Sequence, residues 1–425
     1  MPQGRHHRAR RLLPGLLASS ALLLGGCGLL GSSPPSASSP PPPTSVYNKF
    51  AGSEQRALTK ALSYLKSVRL PTKSGAPAPS LPPRAFGSVG VGSHIVLGFL
   101  PSWELYQASS LDYAALSEVS YFALEVEPGG RILQSGQGWS ELAGGAASQL
   151  VADAHSAGDR ALLTLYTGTE STLSAIAKAP AAAASELAAQ VAPLLAAHHF
   201  DGVDLDFEGR NGADRTGFTT FVAAFAKALR LRGPHYQIVL NAFPQAAVDP
   251  SGLYDVQALA HYVNDLFVMA YDMGDPSSPG PTAPLVGPNL TDAAAIASFE
   301  AVVPASKLIL GIPFYGYDFE ASGRRPGAIA VGQPVAVTYA SVLQAGRPAL
   351  WDPASETPYI AFQRSGQWHQ TWFDDPVSVA LKVALAAAFH TAGVGVWELG
   401  MAGGQPAMME ALDGGSPPAR LPLVG

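Results

Sequence analysis

A single cysteine in 425 residues excludes an internal disulfide, so packing must hold the fold together. Charge is also scarce, at 14% of residues. Basic side chains are the minority, 26 Lys and Arg against 32 Asp and Glu, which disfavours nucleic acid as a partner. The N-terminal apolar run from Leu12 to Leu24 is broken by Pro14 and falls short of the roughly 20 residues a membrane span needs. What is abundant is apolar material, 47% of the chain. That is ample for a large core and rules out a wholly disordered chain.

The first residues read as an export signal. Arg5, Arg8, Arg10 and Arg11 precede the short apolar run, and Leu24-Gly25-Gly26-Cys27 follows it. The last four resemble the bacterial lipoprotein box, in which the cysteine becomes the lipidated first residue. The alternative is an ordinary signal peptide with an incidental cysteine. The expectation is therefore a signal peptide over 1–26, lipidation at Cys27 and an exported chain anchored to the membrane by acyl groups. Arg10-Arg11 would also suit twin-arginine export. Removal of 1–26 leaves 22 basic residues against 32 acidic ones.

Residues 27–45, rich in Ser and Pro, read as a semi-stiff tether. The 46–92 segment reads as a helical stalk and linker. Its helix is expected over 53–69, with Leu58, Leu62, Leu65 and Val68 on one side, as a stalk or a packing helix. From residue 93 short apolar runs alternate with longer amphipathic stretches. Eight strands are expected: Ile95–Leu100, Val119–Leu124, Ala161–Tyr166, Gly202–Phe207, Gln237–Ala242, Asp265–Ala270, Lys307–Pro313 and Gly393–Trp397. Helices between them carry recognisable ends, such as Asp375-Pro376 at a start and Gly233-Pro234 at a stop. This alternation gives parallel strands, and eight units favour an α/β fold of the (β/α)8 TIM-barrel type over 93–412. About 80 residues separate the last two strands, too many for one loop and helix. Residues 318–372 are read as a small α+β insertion containing a hairpin, with Pro358–Gln363 and Gln367–Phe373 around Arg364-Ser365-Gly366. Residues 413–425 read as a flexible tail.

The fourth strand carries the chemistry. In Asp201-Gly202-Val203-Asp204-Leu205-Asp206-Phe207-Glu208, alternation puts Asp204, Asp206 and Glu208 on one face and Val203, Leu205 and Phe207 on the other. In a barrel the first face looks into the lumen. Three confined carboxylates cannot all ionise cheaply, so at least one should hold its proton, as acid catalysis near neutral pH requires. A hard-metal site built from the same oxygens is an alternative. A solvated acidic edge is a third, disfavoured by the interleaved apolar residues.

Asp201-Gly-x-Asp-x-Asp-x-Glu208 resembles the signature of glycoside hydrolase family 18, the family of chitinases and related hexosaminidases. Met269-Ala270-Tyr271-Asp272 resembles its Met-x-Tyr-Asp motif, and Trp397 matches its strand-eight tryptophan. The resemblance covers about 94–412. It implies that Glu208 protonates the glycosidic oxygen and later activates water. It further implies that Asp206 orients the substrate acetamido group, Asp204 tunes Asp206 and Tyr271 bonds the acetamido oxygen. Asp272 and Met269 would line the pocket, Trp397 would pack on the sugar face, and Phe99 would line the pocket or fill the barrel.

Neighbouring acids on one strand, about 6.8 Å apart, approach from one side. An ordinary retaining glycosidase needs a nucleophile across the ring, and this family is an established exception that uses the substrate's own N-acetyl oxygen. The implied partner is an N-acetylated amino-sugar glycan, cut by a monomer without cofactor or metal. A chitinase-like sugar-binding lipoprotein that has lost catalysis is the alternative.

The chain departs from the family in one place. Strand three ends Leu163-Thr164-Leu165-Tyr166-Thr167-Gly168 where chitinases carry Ser-x-Gly-Gly. Gly280-Pro281-Thr282-Ala283-Pro284 and Gly311-Ile312-Pro313-Phe314-Tyr315-Gly316-Tyr317 look more like the bacterial branch that includes spore cell-wall hydrolases. Chitooligosaccharide and peptidoglycan-derived glycan both stay open as substrates. Trp103, Trp351, Trp368 and Trp372 could stack on sugars or simply pack.

Overall fold

The computed structural model describes residues 49–65, 68–82, 85–86, 94–414 and 423. The expected signal peptide, Cys27, the tether to residue 45 and the tail from 415 to 422 lie outside the described residues. Among the described residues no helix is long and apolar enough to cross a membrane.

The eight expected strands form, as Ile95–Pro101, Glu118–Glu127, Arg160–Thr167, Gly202–Phe207, Gln237–Ala242, Asp265–Val268, Leu308–Pro313 and Gly393–Trp397. Each pairs in parallel with the next, and strand eight pairs with strand one, Val394 opposite Val96, to close the barrel. The fold is a (β/α)8 barrel. Its wall is apolar on the outer face, where Val203, Leu205 and Phe207 are fully buried against helices. Phe207 meets Phe218 and Phe221 of the helix Arg215–Arg230 at ring-centroid separations of 6.1 and 5.6 Å.

Small residues let the barrel close. A side chain on Gly202 would come within 2.2 Å of the Gln237 carbonyl, so strands four and five can approach only with glycine there. A Cβ at Gly395 would lie 2.7 Å from the Phe267 ring. That ring fills the lumen and meets Phe99 edge-on at 5.2 Å.

The insertion is a six-stranded antiparallel sheet. Its members, in spatial order, are Ala76–Pro77, Leu350–Asp352, Thr357–Arg364, Gln367–Trp372, Tyr315–Ala321 and Val335–Thr338. The sheet therefore starts at Tyr315, a few residues before the expected boundary. The hairpin turn is two residues long, Ser365 and Gly366, both at positive φ (53° and 83°), the geometry whose twist matches the flanking strands.

The 46–92 segment differs most from expectation. Its helix is Ala51–Tyr64, ending before Leu65. The inward face is Ala57 and Ala61, while Leu62 is 38% exposed. Small alanines let this helix lie close against the helices Pro376–Phe389 and Asp292–Glu300. Lys60 Nζ donates to the Ala388 carbonyl at 3.3 Å across that contact. It is a packing helix of the barrel rather than a stalk. Leu65 bridges to Phe86, and Ala76–Pro77 adds an edge strand to the insertion sheet.

Candidate active site

The acids of strand four stand as a ladder in the lumen. Asp204 is wholly buried, Asp206 is 2% exposed, and Glu208 emerges at the C-terminal mouth half-buried. The Glu208 backbone N–H donates to the Thr167 carbonyl at 2.8 Å, which extends the pairing of strands three and four to the catalytic-face rim. Asp204 Oδ2 accepts from Asn241 Nδ2 at 3.2 Å. Its carboxyl is pushed up to about 8, first by burial, with hydrogen bonds from Thr164 and Asn241 pulling it down and the charge of Glu118 pushing it further up. The Asp206 carboxyl lies well above the ordinary carboxylate range because of burial, then the charges of Glu208 and Asp204. Two stacked carboxyls thus hold protons more tightly than free acids do, as the confined geometry demands.

The pocket above the ladder is aromatic. Trp397 is 5% exposed and meets Phe122 edge-on at 4.7 Å and Phe99 at 5.7 Å. Phe99 itself is 1% exposed, sandwiched between Trp397 and Phe267. It therefore fills the barrel beneath the Trp397 floor, the second of its two expected roles, rather than lining the pocket. Met269 and Tyr271 lie at the end of strand six, 5% and 9% exposed. Tyr271 meets Tyr315 at 6.1 Å. Asp272, at φ 53°, opens to the cleft and accepts from the Tyr317 hydroxyl at 2.9 Å and from Thr282 Oγ1 at 3.1 Å. The insertion thus reaches the barrel site through Tyr315 and Tyr317.

Asp201 does not join the ladder. It sits at the opposite end of strand four, where Oδ2 accepts from the Ala161 N–H and pairs with His155 Nε2, both at 2.8 Å. The motif therefore spans the whole length of the barrel. Trp351 and Trp372 are buried in the insertion core, whereas Trp103 stays partly exposed at the mouth beside Phe122, 6.1 Å away. Among the described residues no group of three His, Cys, Asp or Glu side chains is placed to hold a metal ion.

Sequence reasoning missed Asn241 and Tyr254. Asn241 is the inward polar residue of an apolar strand, so its parity with Gln237 could have revealed it. Tyr254 donates to the Phe207 carbonyl at 2.8 Å from a loop whose sequence gives no such signal. The charges of Glu208 and Asp206 add to its burial in pushing its hydroxyl up.

The sequence profile described as glycosyl hydrolases family 18 matches residues 93–402, nearly all of the barrel. The chain belongs to this family. Among curated sequences it is similar to the one named putative sporulation-specific glycosylase YdhD of Bacillus subtilis, 29% identical over 221 residues, which is 51% of each chain. It is also similar to the di-N-acetylchitobiase of Rattus norvegicus, 25% identical across 59% of this chain and 72% of that one. The cortical fragment-lytic enzyme of Bacillus subtilis is 25% identical across 48% of this chain and 47% of its own length. The chain thus spans about half the length of both Bacillus relatives. Among solved structures, a family 18 chitinase of Cycas revoluta in complex with (GlcNAc)3 superposes with a TM-score of 0.67 and 21% identity, covering 76% of this chain and 99% of that one. At that identity the likeness supports the fold alone.

Proposed function

We propose that this protein is a retaining glycosidase that cleaves β-1,4 bonds next to N-acetylglucosamine, in chitooligosaccharides or peptidoglycan-derived glycans. The observation that carries this reading is the Asp204–Asp206–Glu208 ladder, buried at its base and open at its top, under an aromatic floor of Trp397. Glu208 alone reaches the mouth, so it delivers the proton to the glycosidic oxygen and takes one from water in the second half of the reaction. Asp206 lies one step deeper and holds the acetamido group of the sugar on Trp397, with Tyr271 donating to the acetamido oxygen. That oxygen attacks the anomeric carbon, because the strand offers no carboxylate on the opposite face of the ring. Asp204, fixed by Asn241, keeps a proton available beneath Asp206. Asp272 and Met269 border the same pocket.

Export and anchoring through Cys27 belong to the same proposal, and would place the enzyme beside envelope polymers. Wild type and Glu208→Gln, incubated with chitooligosaccharides and with peptidoglycan, give the test by mass spectrometry of products. Wild type should release fragments ending in N-acetylglucosamine. The variant should be slower by about 10²-fold or more while still binding oligosaccharide. Equal turnover by the two would contradict the assignment.

A further inference from the structure

The chain carries net negative charge, −6 overall, yet a cation stands beside its catalytic mouth. Arg210 lies two residues beyond Glu208, and Phe243 lies one residue beyond strand five. The Arg210 guanidinium sits 4.5 Å from the Phe243 ring centroid. Phe243 in turn meets Tyr254 edge-on at 5.7 Å, and the Tyr254 hydroxyl is tied to the Phe207 carbonyl at 2.8 Å. The cation is therefore seated on a stack whose base is bonded to the residue before Glu208. Stacking holds a guanidinium by its face and leaves its N–H edges free to grip a carboxylate.

Two nearby acids accept from donors other than the Arg210 guanidinium. Asp249 Oδ1 accepts from the Ser251 N–H at 3.0 Å and its hydroxyl at 2.6 Å. Glu170 accepts from the Arg210 backbone N–H at 2.6 Å. The ion pair of this rim joins Arg215 to Asp255 at 3.9 Å, and among the described residues no side-chain carboxylate pairs with the Arg210 guanidinium. Gly209, Arg210, Phe243, Gln245 and Tyr254 line a shallow concavity just beyond strand four, with Asp249 as the acid in its wall.

Position then decides what meets this cation. Glu208 serves the oxygen that joins the sugar on Trp397 to the leaving sugar. Trp397 belongs to strand eight, across the barrel from strands four and five. The rim beyond Glu208 on strands four and five therefore borders the leaving sugar. A chitin-type leaving sugar is neutral and offers a guanidinium hydroxyl and amide oxygens but no charge to pair with.

We propose that Arg210, seated on Phe243, selects glycans whose leaving-group sugar bears a free carboxylate, the lactyl ether of peptide-stripped peptidoglycan strands being the source that fits a β-1,4 acetamido polymer. This rests on the glycosidase reading above and narrows its substrate. The test measures binding to full-length Glu208→Gln by calorimetry. The ligands are chitotetraose and a peptide-free peptidoglycan tetrasaccharide with free lactyl carboxylates. The acid-bearing strand should bind about fivefold tighter or better, the scale of one partly exposed ion pair. Adding Arg210→Gln should erase that ratio, whereas Arg210→Lys should keep part of it. Raising salt should shrink it. Equal affinities for the two ligands, or a preference that survives Arg210→Gln, would overturn the inference. Product formation by wild type on chitotetraose, read in parallel, tests the glycosidase reading separately.

Discussion

Two groups of buried acids occupy the two ends of the same barrel, and they are built differently. At the N-terminal end, Glu118, Asp201 and Asp265 each face a cation or a committed donor. Arg160 Nη1 lies 3.3 Å from Glu118, His155 lies 2.8 Å from Asp201, and Gln237 Nε2 donates to Asp265 at 2.7 Å. Lys307 adds its charge near Asp265 while donating to the Ala260 and Val263 carbonyls at 2.8 and 2.7 Å. At the C-terminal end, Asp206 feels the charges of Glu208 and Asp204, and no cation acts on Asp204 or Asp206, whose hydrogen-bond partners Asn241 and Thr164 are neutral. The lower group fastens strand starts together. Burial raises the proton affinity of Glu118 and Asp265 in the lower group as it does that of Asp204 and Asp206 in the upper one, but Asp206 is raised further by the charges of Glu208 and Asp204, which helps chemistry and hinders folding.

The motif strand crosses from one group to the other, so alanine at two of its positions should separate the roles. Asp206→Ala should abolish most turnover, by about 10²-fold or more, with little loss of stability, since it relieves a crowded acid. Asp201→Ala removes the acceptor for a buried N–H and for His155, and should destabilise by about 2–3 kcal/mol. The activity of its remaining folded fraction should match wild type. Denaturant melts beside specific activities check both, and a catalytic loss in Asp201→Ala at full stability would break the distinction.

A pH-dependent effect sharpens it. The Asp204 carboxyl titrates near 3.8 when free and is pushed up to about 8 in the fold. The folded state thus holds the proton more tightly, and this residue opposes folding increasingly as pH rises between those values. Asn cannot ionise. The melting temperature of Asp204→Asn relative to wild type should climb from about pH 4 to about pH 8 and level off beyond. A difference that stays flat across this window would show that the carboxyl is not held protonated.

The barrel was legible because each strand is a short, dense apolar run and each crossover helix has its own period. The ladder was legible because alternation alone fixes which side of strand four its acids face. The same alternation sets Asp201 off the ladder's face, but local sequence could not show that His155 and the Ala161 N–H would be its partners. Phe99 has the parity of a pocket residue, but its depth in the lumen is set by how Trp397 and Phe267 stack around it. The packing face of the N-terminal helix is only partly legible for a related reason. Leu58, Leu65 and Val68 do pack inward, but Leu62 is exposed, and tight contact with the helix Pro376–Phe389 adds Ala57 and Ala61 to the buried face. A two-residue edge strand at Ala76–Pro77 leaves no periodic trace at all.

The central claim is that acids from one strand act on a sugar that supplies its own nucleophile. Hydrolysis of chitotetraose compared with its fully N-deacetylated counterpart, with the product anomer followed by NMR, tests it most directly. Release of β-anomeric product from the acetylated substrate, and none from the deacetylated one, is the expected result. Inverted product, or comparable cleavage of both, would contradict it.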